Sequence, residues 1–235
     1  MTVVVFDVDD TLYDQFMPFE LAMNKTFAQT EWLSEIPLKK LYQLFRHHSD
    51  LAFPDTVSGK VSLKDMRVYR IQAALKDLGI DASKEACQTF QDNYFYEQNH
   101  ISLQPDMVEL LNVLMDKEVV TGILTNGPTD HQQLKIDQLT ISNWIKPQAQ
   151  HISESIGYSK PDAEAFKVVE KSFPEAKRFL YVGDSYENDV IGAKAAGWEI
   201  IWLNKNNRQL TQEMVQPDIE LTSYDGIIDA VLEFL

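Results

Sequence analysis

The stretch VVVFDVDDTLYD, residues 3–14, decides how the rest of the chain is read. Val3–Phe6 is an apolar, mostly β-branched run suited to a buried strand. It breaks off into Asp7, Asp9 and Asp10, three carboxylates within four positions. Charges held so close are costly unless a cation compensates them. Alternate residues of an extended segment point the same way, so Asp7 and Asp9 are expected to approach one site while Val8 packs. Carboxylates grouped without a neighbouring base suit a hard divalent cation, and Mg²⁺ is the natural choice.

Similar runs recur downstream. VVTGILT (119–125), RFLYVGD (178–184) and EIIWLN (199–204) read as buried strands, with QHIS (150–153) and IELT (219–222) as weaker candidates. Helical patterns lie between or after them, at 106–117, 128–139, 161–173, 186–197 and 224–235. Near-continuous apolar strands separated by helices predict a parallel sheet covered on both faces. Residues 15–100 break this rhythm: they hold no convincing strand but several amphipathic helix signals, among them 38–48. Ser62 and Asp65 have capping-box spacing before a helix that Gly79 would end, and Ser83 can cap the next. The expected architecture is α/β: a Rossmann-like parallel-sheet core from residues 1–14 and 101–235, with an α-helical insertion at 15–100.

In open parallel sheets, ligands sit beyond the carboxyl ends of the strands. Four polar stretches fall there. Asp7–Thr11 follows the first strand, and Thr125-Asn126-Gly127-Pro128 follows the second, with Pro128 suited to a first helical position. Lys160 stands before the helix expected from Pro161, and Gly183-Asp184-Ser185 with Asn188-Asp189 closes a further strand. Thr125 and backbone N–H groups at a helix start suit phosphoryl oxygens. Lys160 and Mg²⁺ would supply the positive charge that the acidic cluster demands.

In order and spacing, these motifs resemble the haloacid dehalogenase-like hydrolase superfamily, and the helical insertion is similar to its α-helical cap. The resemblance implies Asp7 as the nucleophile that forms an aspartyl-phosphate and Asp9 as general acid and base. It implies a Mg²⁺ site from Asp7, the Asp9 backbone carbonyl and Asp184, assisted by Asp189. Thr125, the Asn126 backbone and Lys160 would hold the phosphoryl group.

Other residues carry plainer expectations. Asp10 fixes a turn, while Thr11 orients a group near the site. His47 and His48 are surface or cap residues, because adjacent helical residues point apart and no third ligand is near. Phe45, Tyr69, Phe90, Tyr94 and Phe95 are assigned to the core of the helical bundle. Cys87, the single cysteine, is expected to be buried and inert and fits a reducing compartment.

The chain has 235 residues, 36 acidic against 21 Lys plus Arg, and a formal net charge of -15. That field opposes binding of a nucleic acid polymer. No apolar run is long enough for a membrane span or a signal h-region, so a cytoplasmic protein, monomer or dimer, is expected. The resemblance implies a Mg²⁺-dependent phosphomonoester hydrolase acting on a small phosphorylated metabolite, with pyrimidine nucleoside monophosphates favoured. Sugar phosphates, flavin mononucleotide and a phosphomutase of the β-phosphoglucomutase kind are the alternatives. A non-catalytic binding protein fits poorly with intact motifs.

Overall fold

The computed structural model describes residues 1–235, apart from the side chains of residues 50, 53, 54 and 57. All six apolar runs form strands: β1 (Thr2–Phe6), β2 (Val120–Thr125), β3 (Gln150–Ile152), β4 (Arg178–Gly183), β5 (Glu199–Leu203) and β6 (Ile219–Leu221). They make one parallel sheet in the order β3-β2-β1-β4-β5-β6. Strand order reverses on either side of β1, the position where open α/β sheets bind ligands.

Alternation along β1 explains its unbroken apolar character. Val4 and Phe6 join an apolar layer with Leu110, Leu114, Ile136 and Ile145, while Val3 and Val5 join the opposite layer with Phe166, Val190 and Trp198. Both faces are covered from Val3 to Phe6, so none of these four positions suits a polar residue.

Six helices flank the strands: α5 (Pro105–Asp116), α6 (Thr129–Gln138), α7 (Ser153–Ile156), α8 (Ala163–Lys171), α9 (Ile191–Ala195) and α10 (Ile227–Leu232). Four precede them in the chain: α1 (Phe16–Phe27), α2 (Leu38–Val57), α3 (Leu63–Asp77) and α4 (Lys84–Gln98). Several bounds differ from the sequence pattern. Pro128 is the N-cap of α6, with ψ 138°, and not its first helical residue. Helix α8 starts at Ala163, where the Asp162 carboxylate caps Glu164 N–H, so Lys160 and Pro161 stay in the preceding loop. The 186–197 pattern opens with a π turn, Tyr186–Val190, before α9. The last helix is confined to Ile227–Leu232 because Gly226, at φ 78°, bends the chain just before it.

The chain divides into two compact units, Met1–Asp14 with Ile101–Leu235, and Gln15–His100. The second is the four-helix unit α1–α4. Phe19, Phe45, Phe90 and Tyr94 pack in its interior, with Phe90 and Tyr94 stacked at 5.7 Å between centroids. Ser62 accepts from Asp65 N–H and Ser83 from Ala86 N–H, the two caps that the sequence indicates. Tyr69 and Phe95 correct the expected bundle core: both are about half exposed. Val68 and Ile71 already fill the inner face of α3, and Tyr94 that of α4, which turns their neighbours outward. Cys87 is buried, and burial pushes its thiol up to about 11.

Candidate active site

The site is built around a buried lysine. Lys160 lies in the loop before α8, held by reciprocal bonds to the Asn126 side chain. Lys160 N–H donates to Asn126 Oδ1, and Asn126 Nδ2 donates to the Lys160 carbonyl, both at 2.9 Å. Its ammonium donates to Asp7 Oδ1, Asp189 Oδ1 and the Tyr181 hydroxyl, each at 2.7 Å. Tyr181 in turn donates to the Leu124 carbonyl at 2.6 Å. All three ammonium N–H groups are therefore occupied. Burial disfavours the Lys160 charge, but Asp189 and Asp7 outweigh it and hold its pKa well above the ordinary lysine value.

Asp7 follows β1 directly, and its N–H bonds to the Val182 carbonyl of β4. Asp184 follows β4, and its carbonyl accepts from Trp202 Nε1. Asp189 sits in the π turn, fully buried, with Oδ2 accepting from Ser185 N–H at 2.9 Å. Carboxylate oxygens of Asp7, Asp184 and Asp189 lie within 4.8 Å of one another. Burial pushes the Asp7 carboxyl up to about 7 against the pull of Lys160. Burial, with Asp7 and Asp189 beside it, also holds Asp184 well above the usual carboxylate range. Three carboxylates thus face one ammonium. Gly183 makes this packing feasible, because a Cβ there would lie 2.4 Å from Asp189 Oδ2.

The Asp9 carboxylate stands near enough to Asp7 to raise its pKa, although it is not one of the three carboxylates within 4.8 Å of one another. It has partners of its own. Lys135 Nζ reaches Asp9 Oδ1 at 2.6 Å and Oδ2 at 2.7 Å; Tyr13 OH donates to Oδ1 and Gln132 Nε2 to Oδ2. Burial raises its pKa, but Lys135, then Tyr13 and Gln132, outweigh it and hold the carboxyl below the usual range.

Thr125 is buried at the carboxyl end of β2. Beyond it, Gly127 N–H donates to Ser153 Oγ and Thr129 N–H to Glu154, which ties this turn to α7. Gly127 has φ 147°, and a Cβ on it would meet Gln132 Nε2 at 2.8 Å. Thr11 is fully buried with its hydroxyl unpartnered among the described residues. His47 is exposed, and His48 contacts Asp77 at 2.7 Å. Tyr13, Gln132, Lys135 and Tyr181 escaped the sequence reading. Gln132 and Lys135 do show a signal, their i, i+3 spacing just after the TNGP turn, which puts both on one helical face.

The fold and site define an open parallel α/β protein with a lysine-bridged carboxylate cluster at the switch point of its sheet. Residues 1–197 match the haloacid dehalogenase-like hydrolase family. The chain belongs to that family of enzymes. It is 32% identical over 213 residues to the pyrimidine 5'-nucleotidase YjjG of Escherichia coli, covering 88% of this chain and 87% of that protein. It is 31% identical to the ribulose-1,5-bisphosphate 5-phosphatase of Halopiger xanaduensis, covering 99% and 97%. The magnesium-bound crystal structure of the HAD-hydrolase YfnB of Bacillus subtilis superposes with a TM-score of 0.66 at 22% identity, covering 98% of each chain.

Proposed function

We propose that this protein is a Mg²⁺-dependent phosphomonoester hydrolase that works through an aspartyl-phosphate on Asp7. The observation that carries the reading is the Lys160 ammonium, bonded at once to Asp7 and Asp189 beside Asp184. The donor set Asp7, Asp184 and Asp189 is all oxygen and carries more negative charge than one lysine balances, which fits a hard divalent cation. Asp7, Asp184 and the Asp9 carbonyl would hold Mg²⁺, with Asp189 behind them. When bound, Mg²⁺ offsets phosphoryl charge and the repulsion among the carboxylates.

Asp7 attacks phosphorus, and the bond from phosphorus to the leaving oxygen breaks as Asp9 gives that oxygen a proton. Water then attacks the aspartyl-phosphate while Asp9 takes its proton; the bond to Asp7 breaks and inorganic phosphate leaves. Lys160 keeps Asp7 and Asp189 apart and compensated. Thr125 and the Asn126 backbone receive phosphoryl oxygens. The helical unit serves as the cap that excludes water and selects the leaving group.

Nucleoside monophosphates, pyrimidine ones first, are the substrates we favour, in line with the 88% of the chain that aligns with a pyrimidine 5'-nucleotidase. Sugar phosphates are the second reading, supported by the match to a sugar bisphosphate phosphatase, which covers 99% of the chain. The test is acid-quench trapping with a labelled phosphate ester, followed by a substrate panel compared by kcat/KM. We expect a hydroxylamine-labile phosphoenzyme in the native protein and none in Asp7→Asn, with turnover abolished by chelation and restored by Mg²⁺. Undiminished turnover by Asp7→Asn would overturn the mechanism. A lead of tenfold or more for a sugar phosphate, about 1.4 kcal/mol of transition-state preference, would overturn the nucleotide reading alone.

A further inference from the structure

Asp184 differs from its two neighbours in the carboxylate cluster. Asp7 and Asp189 each accept from the Lys160 ammonium, whereas the Asp184 carboxylate accepts no hydrogen bond among the described residues. Burial raises its pKa most, Asp7, Asp189 and Asp10 add to that, and Lys205 is the cation that pulls the other way. The Asp184 backbone is tied to β5 through the bond from Trp202 Nε1. The same strand ends at Leu203 and delivers Lys205 two residues later. A carboxylate so crowded by like charge is stabilised by a cation of its own.

Lys205 is placed for that role and only loosely engaged elsewhere. The residue before it, Asn204, is buried, and its amide exchanges bonds with the Arg208 backbone, both at 2.9 Å. These bonds fix the turn that follows β5. The Lys205 ammonium lies 5.1 Å from the centre of the Tyr224 ring and donates to the Tyr224 hydroxyl at 3.3 Å. Tyr224 in turn donates to the Asp10 carbonyl at 3.4 Å. Asp10 Oδ1 stands 4.0 Å from the ammonium, an ion-pair distance and not a hydrogen bond. Two of the three ammonium N–H groups therefore have no acceptor among the described residues. The side chain is 24% exposed, which leaves its flexible stem room to shift.

We propose that Lys205 is the resident counter-cation of Asp184, supplying positive charge on that side of the cluster when no metal is bound and opposing Mg²⁺ when it binds. It is a positioning residue that acts through Asp184, and the inference deepens the metal-dependent reading above and rests on it. Lys160 cannot fill this role, because its three N–H groups are taken by Asp7, Asp189 and Tyr181. The metal and the Lys205 ammonium compensate the same carboxylates, so the two are coupled with opposite sign. What Lys205 adds to the metal-free protein it takes from the affinity for Mg²⁺. A charge partly open to water is screened, so the coupling falls with salt.

The experiment measures Mg²⁺ binding by calorimetry, and melting midpoints in chelator and in saturating Mg²⁺, for native protein, Lys205→Met and Lys205→Arg. In Lys205→Met the Mg²⁺ dissociation constant should fall by about threefold or more, and by less in about 0.5 M salt. Its midpoint should lie below the native one in chelator and rejoin it in saturating Mg²⁺. Lys205→Arg keeps the charge and should stay near native in both measurements. A lysine with a purely structural role would lower the midpoint under both conditions and leave the dissociation constant alone, which would overturn the proposal. So would Mg²⁺ binding that weakens, or changes by less than about twofold, in Lys205→Met. Phosphate release by the native protein with an unmoved dissociation constant in Lys205→Met refutes the role of Lys205 alone. A tighter constant without turnover of any ester upholds Lys205 and refutes the phosphatase, while a native protein that binds no Mg²⁺ refutes both.

Discussion

Replacing Gly183 by alanine tests how tightly the site is assembled. A Cβ at this position would lie 2.4 Å from Asp189 Oδ2, 2.6 Å from Cγ and 2.9 Å from Cβ. Reaching ordinary van der Waals contact requires the carboxylate to retreat by about 1 Å. Asp189 has nowhere to go without loss: it is fully buried, with Oδ1 on Lys160 at 2.7 Å and Oδ2 on Ser185 N–H at 2.9 Å. Overpacking costs about 1–3 kcal/mol, and losing one hydrogen bond to a charged group adds about 1.5–3 kcal/mol. The sum, about 2.5–6 kcal/mol, lowers the melting midpoint by roughly 5–24 °C. The assay is denaturant unfolding of native protein, Gly183→Ala, Asp189→Ala and the double variant. Because Asp189→Ala removes the carboxylate and leaves only the Cβ at 2.9 Å, the alanine at 183 should cost at least 1.5 kcal/mol less there, an interaction energy within the range for residues in contact, about 0.5–3 kcal/mol. Equal cost in both backgrounds would refute the reasoning, since the penalty would then come from the backbone and not from Asp189.

Two further outcomes follow from the same geometry. Lys135→Met removes the cation from both Asp9 oxygens, so kcat should fall about tenfold or more, within the roughly 10²–10⁴-fold ascribed to acid–base catalysis. KM should change less, and Lys135→Arg should recover part of the loss in steady-state assays; a kcat within about twofold of the native value would show that Gln132 and Tyr13 suffice. For pH, Asp7 at about 7 and Asp184 well above the usual range keep protons that the unfolded chain has already released. The native state therefore binds more protons, and in chelator the stability should fall as pH rises from about 6.5 to 8. Buried His151, whose pKa burial lowers, acts in the opposite sense only below about 6.5, as the unfolded chain takes up protons. Mg²⁺ should flatten the decline in melting midpoint, and a midpoint that rises with pH in chelator would contradict the site's charge balance.

The sheet was legible in the sequence because a doubly covered parallel strand needs apolar residues at every position. The pattern is local, and Val3–Phe6 carries it complete. The motifs at the strand ends were legible for a related reason: strand, polar turn and helix follow one another within a few residues. The helical character of residues 15–100 was equally plain, down to the Ser62 and Ser83 caps. What the sequence alone could not decide were directions and partners. Nothing near Asp9 in sequence announces that Lys135, 126 positions away, closes on both of its oxygens. Tyr181 reads as one more strand residue until the fold sets its hydroxyl between Lys160 and the Leu124 carbonyl. Tyr69 and Phe95 share composition with the core aromatics and differ only in helical phase against neighbours that belong to other helices. Local physics fixes which elements form, whereas desolvation, charge pairing and packing depend on residues far apart in the chain and exist only once the chain has folded.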